Sequence, residues 1–129
     1  MKTLKTLNKK RALITGATGE LGAAIAREFH NNGCELFLSG TRKEVLNDLV
    51  GELGARTHSA VSDLKNKKNA QTLIEQAIEK MGGVDILINN AGITKDNLFI
   101  RMSDEEWNAV LDINLNSSMI LARGAIKNM

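Results

Sequence analysis

Ala12-Leu13-Ile14-Thr15-Gly16-Ala17-Thr18-Gly19-Glu20-Leu21-Gly22 is the stretch on which the fold of this chain turns. A short apolar run, Ala12 to Ile14, ends in a small polar residue and then in a glycine-rich turn. Directly after it Leu21, Ile25 and Phe29 recur at every fourth residue with Ala24 beside them, which predicts a helix beginning where the glycines stop. The order is strand, tight turn, helix. The first turn of a helix carries unpaired N–H groups and a partial positive charge, so a phosphate settles there if no side chain blocks it. In that reading Gly16 permits the sharp turn, Gly19 lets the backbone come close to a pyrophosphate, and Gly22 lets the helix pack tightly on the strand. The glycines follow one another with two residues between each pair, not in the G-x-G-x-x-G order, and no Walker lysine follows. Glycine-rich turns also close ordinary strand-helix connections, so this stretch by itself leaves both readings open.

The rest of the chain repeats the alternation. Asn31-Asn32-Gly33 ends the first helix, with Gly33 suited to the left-handed cap. A second strand spans Cys34 to Ser39 and ends at Gly40-Thr41-Arg42, after which Val45, Leu46, Leu49, Val50 and Leu53 mark a second helix closed by Gly54. A third, weaker strand over Arg56 to Val61 runs into Ser62-Asp63-Leu64. A third helix carries Ala70, Leu73, Ile74, Ala77, Ile78 and Met81 before Gly82-Gly83. The fourth strand, Val84 to Ile88, is almost wholly apolar. Strands alternating with helices and without hairpin turns predict a parallel sheet covered on both faces, a Rossmann-like doubly wound α/β fold with strand order 3-2-1-4. Beyond Asn89 a polar loop is expected to about Met102. Ser103 then caps a helix with Asp104, Glu105 and Glu106 in its first turn, and this helix is expected to bury Trp107, Val110 and Leu111. A final apolar helix is expected from about Ile113, with Leu115, Met119, Ile120, Ala122 and Ile126.

Composition narrows the function classes. The chain has 129 residues, 43% of them hydrophobic and 25% charged, which suits one domain with a buried core. A net charge of +2 gives no case for nucleic-acid binding, and the lysines near residues 2–10 and 65–68 read as solvated ends and loops. The single Cys34 makes no internal disulfide. No membrane span or signal peptide is expected, so the cytoplasm is the expected location. His30 and His58 are too far apart and unpatterned to predict a metal site.

Three separated motifs carry a resemblance. Thr15 to Gly22, Asn89-Asn90-Ala91-Gly92 at the end of strand four, and Asp112-Ile113-Asn114-Leu115 resemble the motifs of the short-chain dehydrogenase/reductase family. Within it, Asn90-Ala91-Gly92-Ile93-Thr94-Lys95-Asp96-Asn97-Leu98 and Met102-Ser103-Asp104-Glu105-Glu106-Trp107-Asn108 are similar to bacterial 3-oxoacyl-[acyl-carrier-protein] reductases of fatty acid biosynthesis. The resemblance implies that Gly16, Ala17, Thr18, Gly19 and Gly22 line a cofactor's phosphates, with Leu21 approaching from the helix start. Asp63 and Leu64 would flank adenine. Asn90, Ala91 and Gly92 would lie along the riboses, where larger side chains would take the cofactor's place. Asp63 and Asn90 serve equally well as turn formers at strand ends. Asn114 resembles the family's helix-bending asparagine, whose backbone carbonyl holds a water of the proton relay, and is the one candidate catalytic position in this chain.

The end of strand two bears on cofactor choice. An NAD site places a carboxylate there for the ribose 2′-hydroxyl, whereas NADP needs a cation for the 2′-phosphate. Here Thr41 and Arg42 offer a hydroxyl and a guanidinium and no acid is present, so NADP(H) is the expected cofactor. Glu20 stands where the family usually has glycine, and is expected to point outward. Family chemistry reduces a ketone by hydride transfer while a tyrosine donates the proton, aided by a lysine and a serine, yet the 129 residues contain no tyrosine. The expectation is a single incomplete NADP-binding Rossmann domain over residues 1–129, truncated after the fourth strand and the following helices and inactive by itself. Its complete form would act on an acyl-carrier-protein thioester and form a homo-oligomer through the C-terminal helix. The alternative is a non-catalytic nucleotide-binding or assembly module that pairs with an intact homologue.

Overall fold

The structure is a computed structural model and describes residues 7–92 and 103–128. Four parallel strands, β1 (Arg11–Ile14), β2 (Glu35–Gly40), β3 (Thr57–Val61) and β4 (Ile86–Ile88), form one sheet in the order β3-β2-β1-β4. This is the expected order. Leu13 lies between Phe37 and Leu87, and Ile14 between Leu38 and Ile88. Side chains alternate across a strand, so each strand feeds two cores. Leu13 and Phe37 join Leu73, Ile74, Ala77 and Leu121 on one face, under α3 (Lys67–Met81) and α5 (Ser118–Asn128). Ala12, Ile14, Leu36 and Leu38 join Ala26, Leu46 and Leu49 on the other, under α1 (Glu20–Asn31) and α2 (Lys43–Leu53). A sheet buried on both faces needs apolar residues at consecutive positions, which is what Leu36-Phe37-Leu38 supplies.

Element ends follow local chemistry. Gly33, Gly54 and Gly82 all take positive φ where α1, α2 and α3 stop. β3 begins at Thr57 rather than Arg56 because Arg56 has φ of 64°, a left-handed conformation that no strand accommodates. At the lower end of the sheet Arg11 and Asp85 form a forked ion pair, Nε to Oδ2 at 3.0 Å and a terminal nitrogen to Oδ1 at 3.1 Å, which ties β1 to the start of β4.

Two expectations about the C-terminal part are corrected. Residues 104–128 are not two separate helices: α4 (Asp104–Leu111) runs through a π-helical turn, Asp112–Ser117, directly into α5. Leu111, Asp112 and Ser118 all keep right-handed helical angles, so nothing breaks the rod. Trp107 is not buried but 46% exposed, and Val110 and Leu111 are only half-buried. Among the described residues the main neighbour of α4 is the π-helical turn that continues it, which leaves this side of the rod exposed there. Leu115, Met119 and Ile126 are exposed as well. Residues 93–102, which hold most of the expected polar loop and part of the reductase-like motif, lie outside the described residues.

Candidate functional site

The C-terminal ends of all four strands point into one cavity of about 430 Å³. Its wall follows from the chain: Gly16, Thr18, Gly19, Glu20 and Leu21 after β1, Ser39 to Arg42 at the end of β2, Ser62 to Leu64 after β3, and Asn90 to Gly92 after β4. Ile113 of the π-helical turn closes it. In a doubly wound sheet ligands bind outside these strand ends where the order reverses, here between β1 and β4.

The glycine-rich corner is kept bare by its own geometry. Gly16 has φ of 66°, and a Cβ there would lie 2.9 Å from the Ala91 nitrogen. A Cβ on Gly22 would lie 2.2 Å from the Gly16 carbonyl oxygen, so helix and turn touch through backbone alone. Gly19 differs. A Cβ there would meet only the Gly16 oxygen at 3.5 Å, an ordinary contact, and its φ of −87° is open to any residue. The protein's own packing does not require glycine at 19, so the space beside it belongs to the cavity. Gly19 is also the N-cap of α1, and no side chain caps this helix or α2, whereas Asn66 and Ser103 cap α3 and α4. The start of α1 therefore offers N–H groups and a positive helix end to an anion in the cavity.

Thr15 joins the β1 and β4 turns. Its hydroxyl oxygen accepts from the backbone nitrogens of Asn90 at 3.1 Å and Ala91 at 2.9 Å, and its O–H lies 3.4 Å from the Ile88 carbonyl. Asn90 returns the contact by donating from its side-chain amide to the Gly16 carbonyl at 3.2 Å. Arg42 bridges the β2 end to the glycine-rich turn by donating to the Thr18 carbonyl. Asp63 shapes the β3 turn: its Oδ1 accepts from the Lys65 backbone nitrogen at 3.0 Å, and its carbonyl accepts from the Asn69 side chain at 2.8 Å.

The structure thus brings Gly16, Thr18, Gly19, Leu21, Thr41, Arg42, Asp63, Leu64, Asn90, Ala91 and Gly92 around one cavity. Ala17 and Gly22 stand behind the wall: Ala17 is fully buried in the core and Gly22 packs against Gly16. Asn114 sits in the π-helical turn with its Oδ1 3.1 Å from where a Cβ of Gly92 would stand, so it faces the β4 turn. Glu20 is exposed at the first residue of α1 and stands on the cavity wall without closing it. Ser39, Gly40, Ser62 and Ile113 line the cavity and were not foreseen. For Gly40 a signal existed, since a glycine at a strand end beside a glycine-rich turn marks a close approach, and a Cβ there would lie 2.5 Å from Thr18 Cγ2. Ile113 has the spacing of an ordinary core residue and gave no sign.

The sequence profile of the short chain dehydrogenase family matches residues 10–129. Nodulation protein G of Rhizobium sp. (strain N33) is 47% identical over 117 residues, which cover 91% of this chain and 48% of that protein. The 3-oxoacyl-[acyl-carrier-protein] reductase of Rickettsia bellii is 46% identical over 123 residues, 95% of this chain and 49% of that enzyme. The chain spans about half the length of the curated relatives it matches. Among solved structures, a blue fluorescent protein from a metagenomic library in complex with NADPH superposes with a TM-score of 0.92 at 29% identity, over 97% of this chain and 53% of that one. A 3-ketoacyl-(acyl-carrier-protein) reductase from Brucella melitensis complexed with NADH gives 0.87 at 29% identity, over 95% of this chain and 51% of that one. Sheet order, bare glycine corner and profile agree, and the chain belongs to the short-chain dehydrogenase family.

Proposed function

We propose that residues 1–129 form the cofactor-binding part of an NADPH-dependent 3-oxoacyl-[acyl-carrier-protein] reductase and that, alone, they bind the cofactor without turning it over. The observation that carries this is the bare corner at residues 16–22: a positive, uncapped helix end faces a cavity whose one unforced glycine, Gly19, leaves room for a ligand. A dinucleotide fits the residues present. The α1 end and the turn from Gly16 to Gly19 would hold the diphosphate, and Gly22 would keep the helix close enough for that. Asp63 and Leu64 would flank the adenine, and Asn90, Ala91 and Gly92 would take the ribose side. Thr41 and Arg42 would take a 2′-phosphate; Arg42 uses one terminal nitrogen on the Thr18 carbonyl and its fork has further donors, which supports NADP(H) over NAD(H). A bound nicotinamide supplies hydride to a ketone. The chain's own part in the proton path would be the Asn114 carbonyl, holding a relay water beside the β4 turn. Without tyrosine these residues hold no side chain suited to protonate the developing alkoxide.

A second reading has its own support. Leu115 is 60% exposed, Met119 49% and Ile126 69%, spaced along one helix. Such a surface suits association through the C-terminal helix, either with a second copy or with an intact homologue, and would make this chain an assembly module. Both readings are tested together. NADPH fluorescence titration of the purified 129-residue chain is expected to show binding, tighter than for NADH, with no oxidation when an acetoacetyl thioester is added. Turnover defeats the claim of inactivity, and absence of binding defeats the cofactor assignment. Co-purification with an intact reductase, lost on Met119→Glu, selects the assembly reading.

A further inference from the structure

We propose that Ser117 is a positioning residue for the base end of the nucleotide cavity, holding the Asp63-Leu64 turn in place from inside the core; this rests on the cofactor reading above. Ser117 is the last residue of the π-helical turn and is fully buried. Ile113 and Leu121, four residues before and after it, and Leu64, whose carbonyl it reaches, are all buried in one apolar core. A buried hydroxyl in such a place is costly unless it has a partner, and an alanine would fill the core as well. Ser117 Oγ donates to the Leu64 carbonyl at 2.5 Å. Leu64 and Asp63 both line the cavity, and so does Ile113, one turn before Ser117.

The neighbouring residue extends the arrangement to the other side. The Ser118 carbonyl accepts from the Asn89 side-chain amide at 3.3 Å, and Ser118 Oγ lies 3.3 Å from the Ile113 carbonyl, five residues back, within the widened turn. Two consecutive serines at the end of the π-helical turn therefore grip the turns that follow β3 and β4. Around Asp63 the other restraints come from the sheet and from α3: Ser62 nitrogen donates to the Gly40 carbonyl at 3.0 Å, and Asn69 of α3 holds the Asp63 carbonyl. Among the described residues, Ser117 is the side chain that fixes this turn to the C-terminal rod. Losing it leaves Asp63 attached to the sheet and to α3 but free to shift against Ile113, which loosens the adenosine end and leaves the glycine-rich corner untouched.

The test uses Ser117→Ala and Ser117→Thr in the full 129-residue chain, with three probes: NADPH, adenosine 2′,5′-bisphosphate and reduced nicotinamide mononucleotide. In Ser117→Ala, NADPH and the bisphosphate are expected to bind about tenfold more weakly, with the mononucleotide unchanged, and Ser117→Thr restores both. In the ligand-free chain, amide exchange at Asn66, whose nitrogen donates to the Asp63 carbonyl, is expected to speed up about tenfold, while Ser62, Ala17, whose nitrogen donates to the Ser39 carbonyl, and Gly54 stay as they were. Equal weakening of all three probes, or faster exchange at every slow amide, reduces Ser117 to a stability residue and overturns the proposal. A wild-type chain that binds no probe overturns the cofactor reading alone, and exchange at Asn66 then decides the tether by itself. If Ser117→Ala does not fold, Ser117→Cys, with a weaker donor, is read by the same criteria.

Discussion

Replacing Gly22 by alanine tests whether the bare corner is built by backbone contact. The new Cβ would stand 2.2 Å from the Gly16 carbonyl oxygen and 2.8 Å from both the Gly16 carbonyl carbon and the Asn90 amide nitrogen. A comfortable carbon–oxygen separation is about 1 Å longer, and the two Gly16 atoms are backbone, which does not swing away, whereas the Asn90 nitrogen belongs to its side chain. Gly16 is further pinned because its carbonyl accepts from the Gly19 nitrogen and the Asn90 side chain, both at 3.2 Å. Overpacking of this kind costs about 1–3 kcal/mol, and the loss of either hydrogen bond adds about 1 kcal/mol. Alanine returns up to about 1 kcal/mol through helix propensity. A net destabilisation of about 2 kcal/mol should lower the urea midpoint by about 1 M. Gly51 is the control: it lies within α2 with nothing within 4 Å of its added Cβ, so Gly51→Ala should stabilise by about 0.5–1 kcal/mol. Urea titration of the two variants beside the wild type reads both numbers. If Gly22→Ala unfolds at the same midpoint as Gly51→Ala, helix and glycine-rich turn are not in contact and the corner is not what keeps the cavity open.

Other variants probe separate parts of the molecule. Thr15→Val removes the acceptor for two backbone nitrogens at the β4 turn and should cost about 2–3 kcal/mol, whereas Thr15→Ser should cost much less; equal midpoints for the two would refute the hydroxyl's role. Arg42→Gln should weaken NADPH binding about tenfold or more, most at low salt, and leave NADH nearly unchanged; parallel losses would show that Arg42 does not read the 2′-phosphate. The hydrogen bond from Arg11, supported by its charge, holds the Asp85 carboxyl below the usual carboxylate value. The stabilisation it gives is complete above about pH 4 and is lost as pH falls through the lowered value, so Asp85→Asn should flatten the acid limb of stability against pH. Cys34 is fully buried, donates to the Leu7 carbonyl and has its thiol pushed up by burial, so a disulfide reagent should react with it only at the rate of unfolding; prompt reaction in the native chain would contradict its burial.

The sheet was legible because its strands carry consecutive apolar residues and its helices a four-residue rhythm, two patterns that are hard to confuse. Leu36-Phe37-Leu38 has to be buried on both faces, and Leu46 with Leu49 has to lie on one side of a helix. The C-terminal rod was harder. Trp107 has the spacing of a core residue, and the sequence alone does not say whether another layer lies over it; in the structure it is 46% exposed. The boundary at Asp112 was misplaced for a related reason. A π-helical turn adds a residue without adding a breaker, so the apolar phase slips while the helix goes on.

The site divides along the same line. Residues that must be small or sharply turned, such as Gly16 and Gly22, announce themselves, because few side chains replace them. Residues that hold those turns in place do not. Thr15 reads as the last residue of a strand, Ser117 as a helix position facing a core, and Asn89 as one of two adjacent asparagines, yet each makes the side-chain contact that fixes a neighbouring turn. Their partners are backbone groups far away in sequence, Leu64 lying 53 residues before Ser117 and Ala91 lying 76 after Thr15. No periodicity records such a partner, because a backbone carbonyl is the same at every residue. The cavity can therefore be found from its glycines, but the polar side chains that hold its turns in place are identified by the folded chain alone.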